Sequence, residues 1–537
     1  MNQPDAPKIK TNGSALASLA LVFFFWGFIA ASNSIFIPFC KSHFHLSQFE
    51  SQLIGSSFYG AYFIGSLLLY LISSMVGYDI LNKIGYKKGI IYGLLISVVG
   101  ALAIIPSANA NSFPAILVSF FVVALGFSLQ QTAAQPFAIA LGDPATGSHR
   151  LNLTGGVNSF GTTLGPIIVS FFLFGSVGTA IENVTVTNIN NLYLIVAGVF
   201  LAVALFFALS KKLPDGKNEA KFEASKNASK SLMILTGLII AIIIVGQLTN
   251  IEKLPLLIVT LFVVFFTLFY SNNKAIKNNE GWGAMKYPQL VYGMIGIFIY
   301  VGTEVTIDNN FGALLKTPGY LTQIGLDESK ISKFVSLYWG SLMIGRWTGA
   351  IGVFNLSNMG KKIATIVVPF IAFGVVLFVN HLYGNDIMEL LPYTICIVIA
   401  IAAFFYGQEK PAKTLLTLAV LGTISMIIGT TLSGIVSVYA IIFGGLCCSI
   451  MWPCIFSLGV AGLGKYTSQG SAFLIMMILG GAVIPPFQGA LGDAFGMHPS
   501  YIVAACCFAA LAFLAIKLKS VLKAQGLDFD SQVASGH

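Results

Sequence analysis

The sequence predicts an all-α polytopic membrane protein, and three observations carry that prediction. Apolar runs of about 20 residues, the length that crosses a hydrocarbon core as a helix, recur along the whole chain. Charge is scarce: 56% of the 537 residues are hydrophobic and 9% are charged, and the mean hydropathy is +0.85. The Lys and Arg residues fall in alternate gaps between the runs, as the positive-inside rule requires. A water-soluble chain of this length has too little charge here to cover its surface. The net charge of +9 invites a nucleic-acid reading, but no basic stripe interleaved with aromatics occurs, so no nucleic-acid partner is expected.

Apolar runs lie near 15–38, 51–76, 86–106, 113–142, 153–175 and 191–210. The polar stretch from Lys211 to Lys230, rich in Lys, Glu, Asn and Ser, follows as a solvated linker. Runs resume near 231–248, 253–271, 288–312, 330–354, 361–380, 391–406, 412–430, 432–462, 467–495 and 498–519. The expectation is about sixteen spans, an even number that puts both termini on one side. With that side as the cytoplasm, of the 29 Lys and Arg only Lys41, Lys253, Lys316, Lys330 and Lys333 lie outside, with Arg346 counted at an inner helix end. A missed or invented span would scramble this alternation, so it supports the count and the orientation together. The first run is long enough to span and has no small-residue cleavage site after it, which reads as a retained helix. The short polar ends suggest a bacterial inner membrane.

The seven cysteines sit almost wholly in apolar runs without ligand-like spacing and read as small hydrophobes. His43 and His45 form an isolated pair in a short outer loop with no third ligand nearby, so no metal site is expected. Sequences that mark a metalloprotease, a nucleophile elbow or a phosphate-binding loop are missing, and the chain is not expected to be an enzyme.

A weak internal repeat is present. PFAIALG (Pro136 to Gly142) ends one Gly-rich span and GTTLGP (Gly161 to Pro166) lies in the next; PCIFSLG (Pro453 to Gly459) and GGAVIPP (Gly480 to Pro486) stand in the same relation later. Two such helix pairs facing each other would enclose a cavity near the bilayer midplane.

Several blocks, in collinear order, resemble a known family: FFFWGFIAASNSIFIPF, SSFYGAYFIGS, KIGYKKGI, QQTAAQPFAIALG with RLNLTGGVNSFGTTLGP, YVGTEVTID, WGSLMIGRWTGA, SIMWPCIFSLGVAGLG and GSAFLIMMILGGAVIPP. They resemble the fucose permease and glucose/galactose permease branch of the major facilitator superfamily, nearest its glucose/galactose members. The resemblance implies two six-helix bundles working by alternating access. It maps the first bundle to 15–210 and the second to 288–519. Residues 211–287 hold a cytoplasmic linker and two extra helices, and a second extra pair at about 361–406 interrupts the second bundle. The implied function is import of a neutral hexose coupled to a cation; an uncoupled facilitator, a fucose transporter and a sugar-binding sensor are the alternatives. No cofactor is implied beyond a coupling ion, a proton or sodium. The partners are the sugar and the lipid bilayer, and each copy encloses its own pathway, so a monomer suffices.

A hexose is a ring of hydroxyls with an apolar face, so its site needs amides, hydroxyls and aromatics pointing inward. The candidates are Asn33, Tyr59, Tyr62, Gln130, Gln131, Gln135, Asn158, Glu304, Asn309, Asn310, Tyr338, Trp339, Trp452 and Gln488. Amides also serve as glue between membrane helices, which competes with each assignment. A carboxylate inside a span costs roughly 2.5–3.5 kcal/mol on insertion scales, so Glu304, with Asp308 one turn further on, is the candidate for cation coupling. In the fucose-permease pattern an Asn-Asp pair stands in the first helix and a Glu in the fourth; here those places hold Asn33-Ser34 and Gln131. Asn82 likewise stands where the superfamily's loop motif has Asp. Arg150 and Arg346 are read as gating residues that bridge helix C-termini in one conformation.

Overall fold

With no water in the bilayer core, each spanning segment must satisfy its own backbone hydrogen bonds, and helices do this. The computed structural model describes residues 11–46, 48–174, 185–217, 225–249, 251–326, 328–354, 356–407 and 410–527. Its long helices, in order, are α1 (Gly13–His43), α2 (Gln48–Val76), α3 (Tyr86–Asn109), α4 (Phe113–Ala140), α5 (Gly147–Phe174), α6 (Val186–Leu209), α7 (Lys226–Leu248) and α8 (Lys253–Lys277). They continue as α9 (Pro288–Lys316), α10 (Glu328–Gly349), α11 (Asn358–Leu382), α12 (Met388–Gly407), α13 (Pro411–Thr431), α14 (Gly434–Val460), α15 (Gly464–Phe495) and α16 (Met497–Ala524). Among the described residues, 13 helices are long and apolar enough to cross a membrane. Helices α1, α5 and α10 occupy the other three places where a span is expected.

Helices α1–α6 pack mainly on one another, and α9, α10 and α13–α16 do the same. Helix α9 is the axis of the second group: 89% of its most apolar window is buried, against 28% for α7, α8 and α12 and 33% for α11. The extra pairs are therefore peripheral, and the exposed side chains of Phe262 and Phe266 on α8 suit a lipid surface. Small residues set close helix contacts, that of α1 with α5 among them. A Cβ at Gly27 would stand 1.9 Å from the Asn158 carbonyl oxygen, and one at Gly161 would stand 2.2 Å from that of Phe24. Only glycine lets α1 and α5 approach this closely.

The polar linker differs from expectation at its start. Leu213 is buried, the Lys87 ammonium donates to the Ser210 carbonyl at 2.7 Å, and the Lys87 amide donates to the Asp215 carbonyl at 3.3 Å. These contacts hold the segment against the start of α3.

The two groups meet through hydrogen bonds that cluster at the end carrying the first and last described residues. Asp79 accepts from the Ser468 hydroxyl at 2.9 Å, and the Asn82 amide donates to the Lys465 carbonyl at 3.3 Å. The Tyr70 hydroxyl lies 2.9 Å from Ser225 Oγ, which also accepts from Gln469 at 2.7 Å. The Ser471 hydroxyl donates to the Thr132 carbonyl at 2.8 Å, and the Trp347 indole donates to the Gly156 carbonyl at 3.1 Å. The two groups are thus latched together at this end.

Candidate functional site

Between the latched groups lies a cavity of about 220 Å³. The first group contributes Trp26, Phe58, Tyr59, Tyr62, Gln131, Gln135 and Asn158, and the second Tyr300, Glu304, Trp339, Arg346 and Trp452. The helical repeat explains the convergence. Gln131 and Gln135 are one turn apart on α4, as are Tyr300 and Glu304 on α9, so each pair presents one face.

The amides are held in place. Gln131 donates to the Tyr62 hydroxyl at 2.8 Å, and Asn158 donates to the Phe23 carbonyl at 3.0 Å across the close α1–α5 contact. In each case one amide group anchors the side chain and the carbonyl oxygen remains for a ligand. The Trp452 indole nitrogen is buried with no hydrogen-bond partner. It lies on the cavity wall, where α14 breaks between Cys448 and Met451 ahead of Pro453.

The charged centre is an ion pair. Arg346 Nη2 stands 3.2 Å from Glu304 Oε1, and both side chains are nearly buried. The Tyr300 hydroxyl donates to the same carboxylate oxygen at 3.0 Å. The guanidinium also donates to the Ser449 carbonyl at 3.1 Å and to the Ser159 hydroxyl at 2.8 Å. Arg346 therefore joins α5 of the first group to α9 and α14 of the second. Asp308, one turn beyond Glu304, accepts from the Trp339 indole at 3.0 Å.

Not every expected site residue reaches this cavity. Gln130 points the other way from Gln131, accepting from the Trp26 indole at 2.6 Å and donating to Ser97 at 3.1 Å. Gln488 is fully buried, accepts from Asn310 at 3.0 Å and donates to Ser500 at 3.2 Å. Tyr338 is buried and its hydroxyl donates to the Glu304 backbone carbonyl at 2.6 Å, so it braces α9 from outside the cavity. Asn309 is exposed. The side chain of Asn33 lies outside the described residues.

The two arginines part company. Arg150 is fully buried and donates to the carbonyls of Ala138 at 2.8 Å, Ile139 at 2.7 Å and Asp143 at 2.6 Å. It closes the C-terminal end of α4, where the helix leaves carbonyls without partners. Arg346 lies in the last turn of α10, as expected, and its side chain also lines the cavity. The signal for that was in the sequence, because an arginine in an apolar run demands a buried partner as much as a glutamate does. Ser159 and Ser449, which complete its coordination, carry no such signal.

Among the described residues no group of His, Cys, Asp and Glu is arranged to hold a metal ion. His43 instead lies 2.7 Å from the Asn111 side-chain oxygen, and among the described residues the cysteines form no disulfide.

Comparison with known proteins agrees with this architecture. The family model described as Major Facilitator Superfamily matches residues 18–408. A glucose/galactose transporter of Brucella abortus is 31% identical over 504 residues, covering 94% of each chain. An L-fucose-proton symporter of Escherichia coli is 24% identical, over 95% of this chain and 94% of its own. A crystal structure of the Escherichia coli fucose:proton symporter superposes with a TM-score of 0.64 at 21% identity, covering 95% of this chain and 99% of that one. By the extent of the family match and its all-helical, two-group architecture, the chain belongs to the Major Facilitator Superfamily.

Proposed function

We propose that the protein is a secondary transporter that carries a neutral hexose, glucose or galactose in type, across the membrane by alternating access. One observation carries the reading: the described residues lining the cavity between the two helix groups include several amides and aromatics but a single ion pair, whose charges cancel. A ligand with a ring of hydroxyls and no net charge suits that wall. The glucose/galactose name of the Brucella abortus relative supports the same substrate class. In this reading residues 15–210 and 288–519 are the two bundles, with 211–287 and about 361–406 supplying the added helices, and the packing of α1–α6 apart from α9–α16 supports the division. The latched end, which carries the first and last described residues, faces the cytoplasm of a bacterial inner membrane, and one copy is the working unit.

Coupling runs through Glu304. Its carboxylate is shared by the Tyr300 hydroxyl and the Arg346 guanidinium. A proton on Glu304 dissolves the ion pair without adding a second cation, whereas sodium would have to sit against the guanidinium, so the proton is the favoured ion. Arg346 also holds Ser159 of the other bundle, so a change at Glu304 reaches the latch directly.

The test is uptake of labelled glucose, galactose and fucose into proteoliposomes under imposed proton or sodium gradients, with Glu304→Gln alongside. Accumulation under a proton gradient, abolished in Glu304→Gln while counterflow exchange persists, is the expected result. Failure of every hexose to exchange overturns the sugar reading. Equilibration without accumulation under either gradient overturns coupling, and accumulation driven by sodium overturns the choice of proton.

A further inference from the structure

A second cavity, of about 490 Å³, lies at the latched end of the molecule. Its wall comes from α5, the end of α10, the extra helices α11 and α12, the start of α13 and the part of α14 around and after its break. Lys361, Lys362 and Lys410 line it, and its described lining residues include no Asp or Glu. Two helices also begin at it: Asn358 opens α11, and Lys410 is the residue before α13. Their N-terminal backbone N–H groups add partial positive charge to that of the lysines. Asn152, on the α5 wall, is 2% exposed, and its side-chain Oδ1 has no hydrogen-bond partner. A buried amide left unpaired is costly unless something else completes it.

We infer that this cavity is a binding site for a phosphate ester flanked by hydroxyls, held by Lys361, Lys362 and Lys410 with Asn152 receiving a ligand hydroxyl. The lysines and helix starts answer the phosphate charge. Asn152 answers a neutral hydroxyl beside the phosphate, the part of the ligand that the lysines do not hold. Two sources offer that chemistry, a soluble sugar phosphate and the phosphoglycerol headgroup of an anionic lipid.

The site spans parts that must separate if the latched end is to open. Asn152 belongs to the first bundle and the lysines to the second bundle and its added helices. His149 Nδ1 stands 2.9 Å from the Gly349 carbonyl across the same wall. A ligand here therefore holds this end shut and slows transport, a consequence that rests on the alternating-access reading. It also gives the extra pair α11–α12 a function, because Lys361 and Lys362 lie on α11.

The binding itself is tested without transport. The full-length protein in phosphatidylcholine nanodiscs is titrated with glucose 6-phosphate and, separately, with inorganic phosphate. A second arm measures enrichment of phosphatidylglycerol over phosphatidylcholine in lipid retained by the purified protein. Saturable binding of glucose 6-phosphate, tighter than that of inorganic phosphate, assigns the soluble source; selective retention of phosphatidylglycerol assigns the lipid. Lys361→Gln and Lys410→Gln are each expected to weaken the measured interaction about tenfold, and Asn152→Ala several-fold. Hexose binding by the same variants controls for folding, or, if no hexose binds the parent protein, the thermal unfolding midpoint does. Binding of neither probe, or binding indifferent to these substitutions, overturns the assignment. Absence of hexose transport leaves the binding result standing, so the two readings fail separately.

Discussion

Ser159→Ala removes the acceptor that receives Arg346 Nη1 at 2.8 Å across the two bundles. A hydrogen bond to a charged group contributes about 1.5–3 kcal/mol net, which corresponds to roughly 10- to 150-fold in an equilibrium constant. The Arg346 side chain is 14% exposed, so water partly replaces the lost hydroxyl and the lower end of that range applies. The bond exists only while α5 and α10 are together, so its loss acts on the conformational equilibrium and leaves the Arg346–Glu304 pair intact. The expected result is a shift of about tenfold toward opening of the latched end. Spin labels at the exposed positions 83 and 523, in a cysteine-free background, read the separation of the two bundles by pulsed electron resonance. A long-distance population should grow in Ser159→Ala relative to the parent. An unchanged distance distribution, together with an unchanged transport rate, would refute the claim that Arg346 latches the bundles.

Neighbouring amides should separate by phenotype. Gln131→Ala is expected to raise KM for the hexose. Gln130→Ala leaves the buried Trp26 indole unpaired, costing about 1–3 kcal/mol, and should lower the thermal unfolding midpoint while KM stays put. Trp452→Phe keeps the ring but deletes the unpartnered indole donor; hexose affinity should fall roughly three- to tenfold in equilibrium binding with the unfolding midpoint unchanged. In the loop after α2, burial raises the Asp79 carboxyl above its ordinary value of 3.8. Opening of the latch exposes the carboxyl and returns it toward 3.8, so the latched state binds the proton more tightly. Acidification through that window therefore favours the latched state, and the gain is lost as pH rises through the raised value. The pH dependence of the spin-label distances should flatten in Asp79→Asn.

The class of the molecule was legible because the bilayer acts on every residue of a span. Apolar runs of the right length, with basic residues in alternate gaps, describe helices one by one, and the structure supplies helices at those places. Glu304 stood out for a related reason: a carboxylate inside an apolar run is expensive wherever its partner lies. Side-chain direction was less legible. Gln130 and Gln131 are adjacent in sequence, yet about 100° of helical turn sends one into a buried contact with Trp26 and Ser97 and the other into the cavity. Which face of α4 looks inward depends on its neighbours, and no residue of α4 announces it.

From the sequence alone came the membrane class, a set of candidate polar residues inside the spans and the resemblance to a transporter family. Each is a property of a segment or of an ordered set of motifs. Tertiary structure alone brought Arg346 to Glu304, 42 positions apart in the chain, and added Ser159 at a separation of 187. It also set three lysines and a buried asparagine around one cavity at the latched end. The reason is physical: helix formation answers to local hydrogen bonding and the apolar solvent, whereas pairing of buried charges depends on how far and at what rotation separate helices pack.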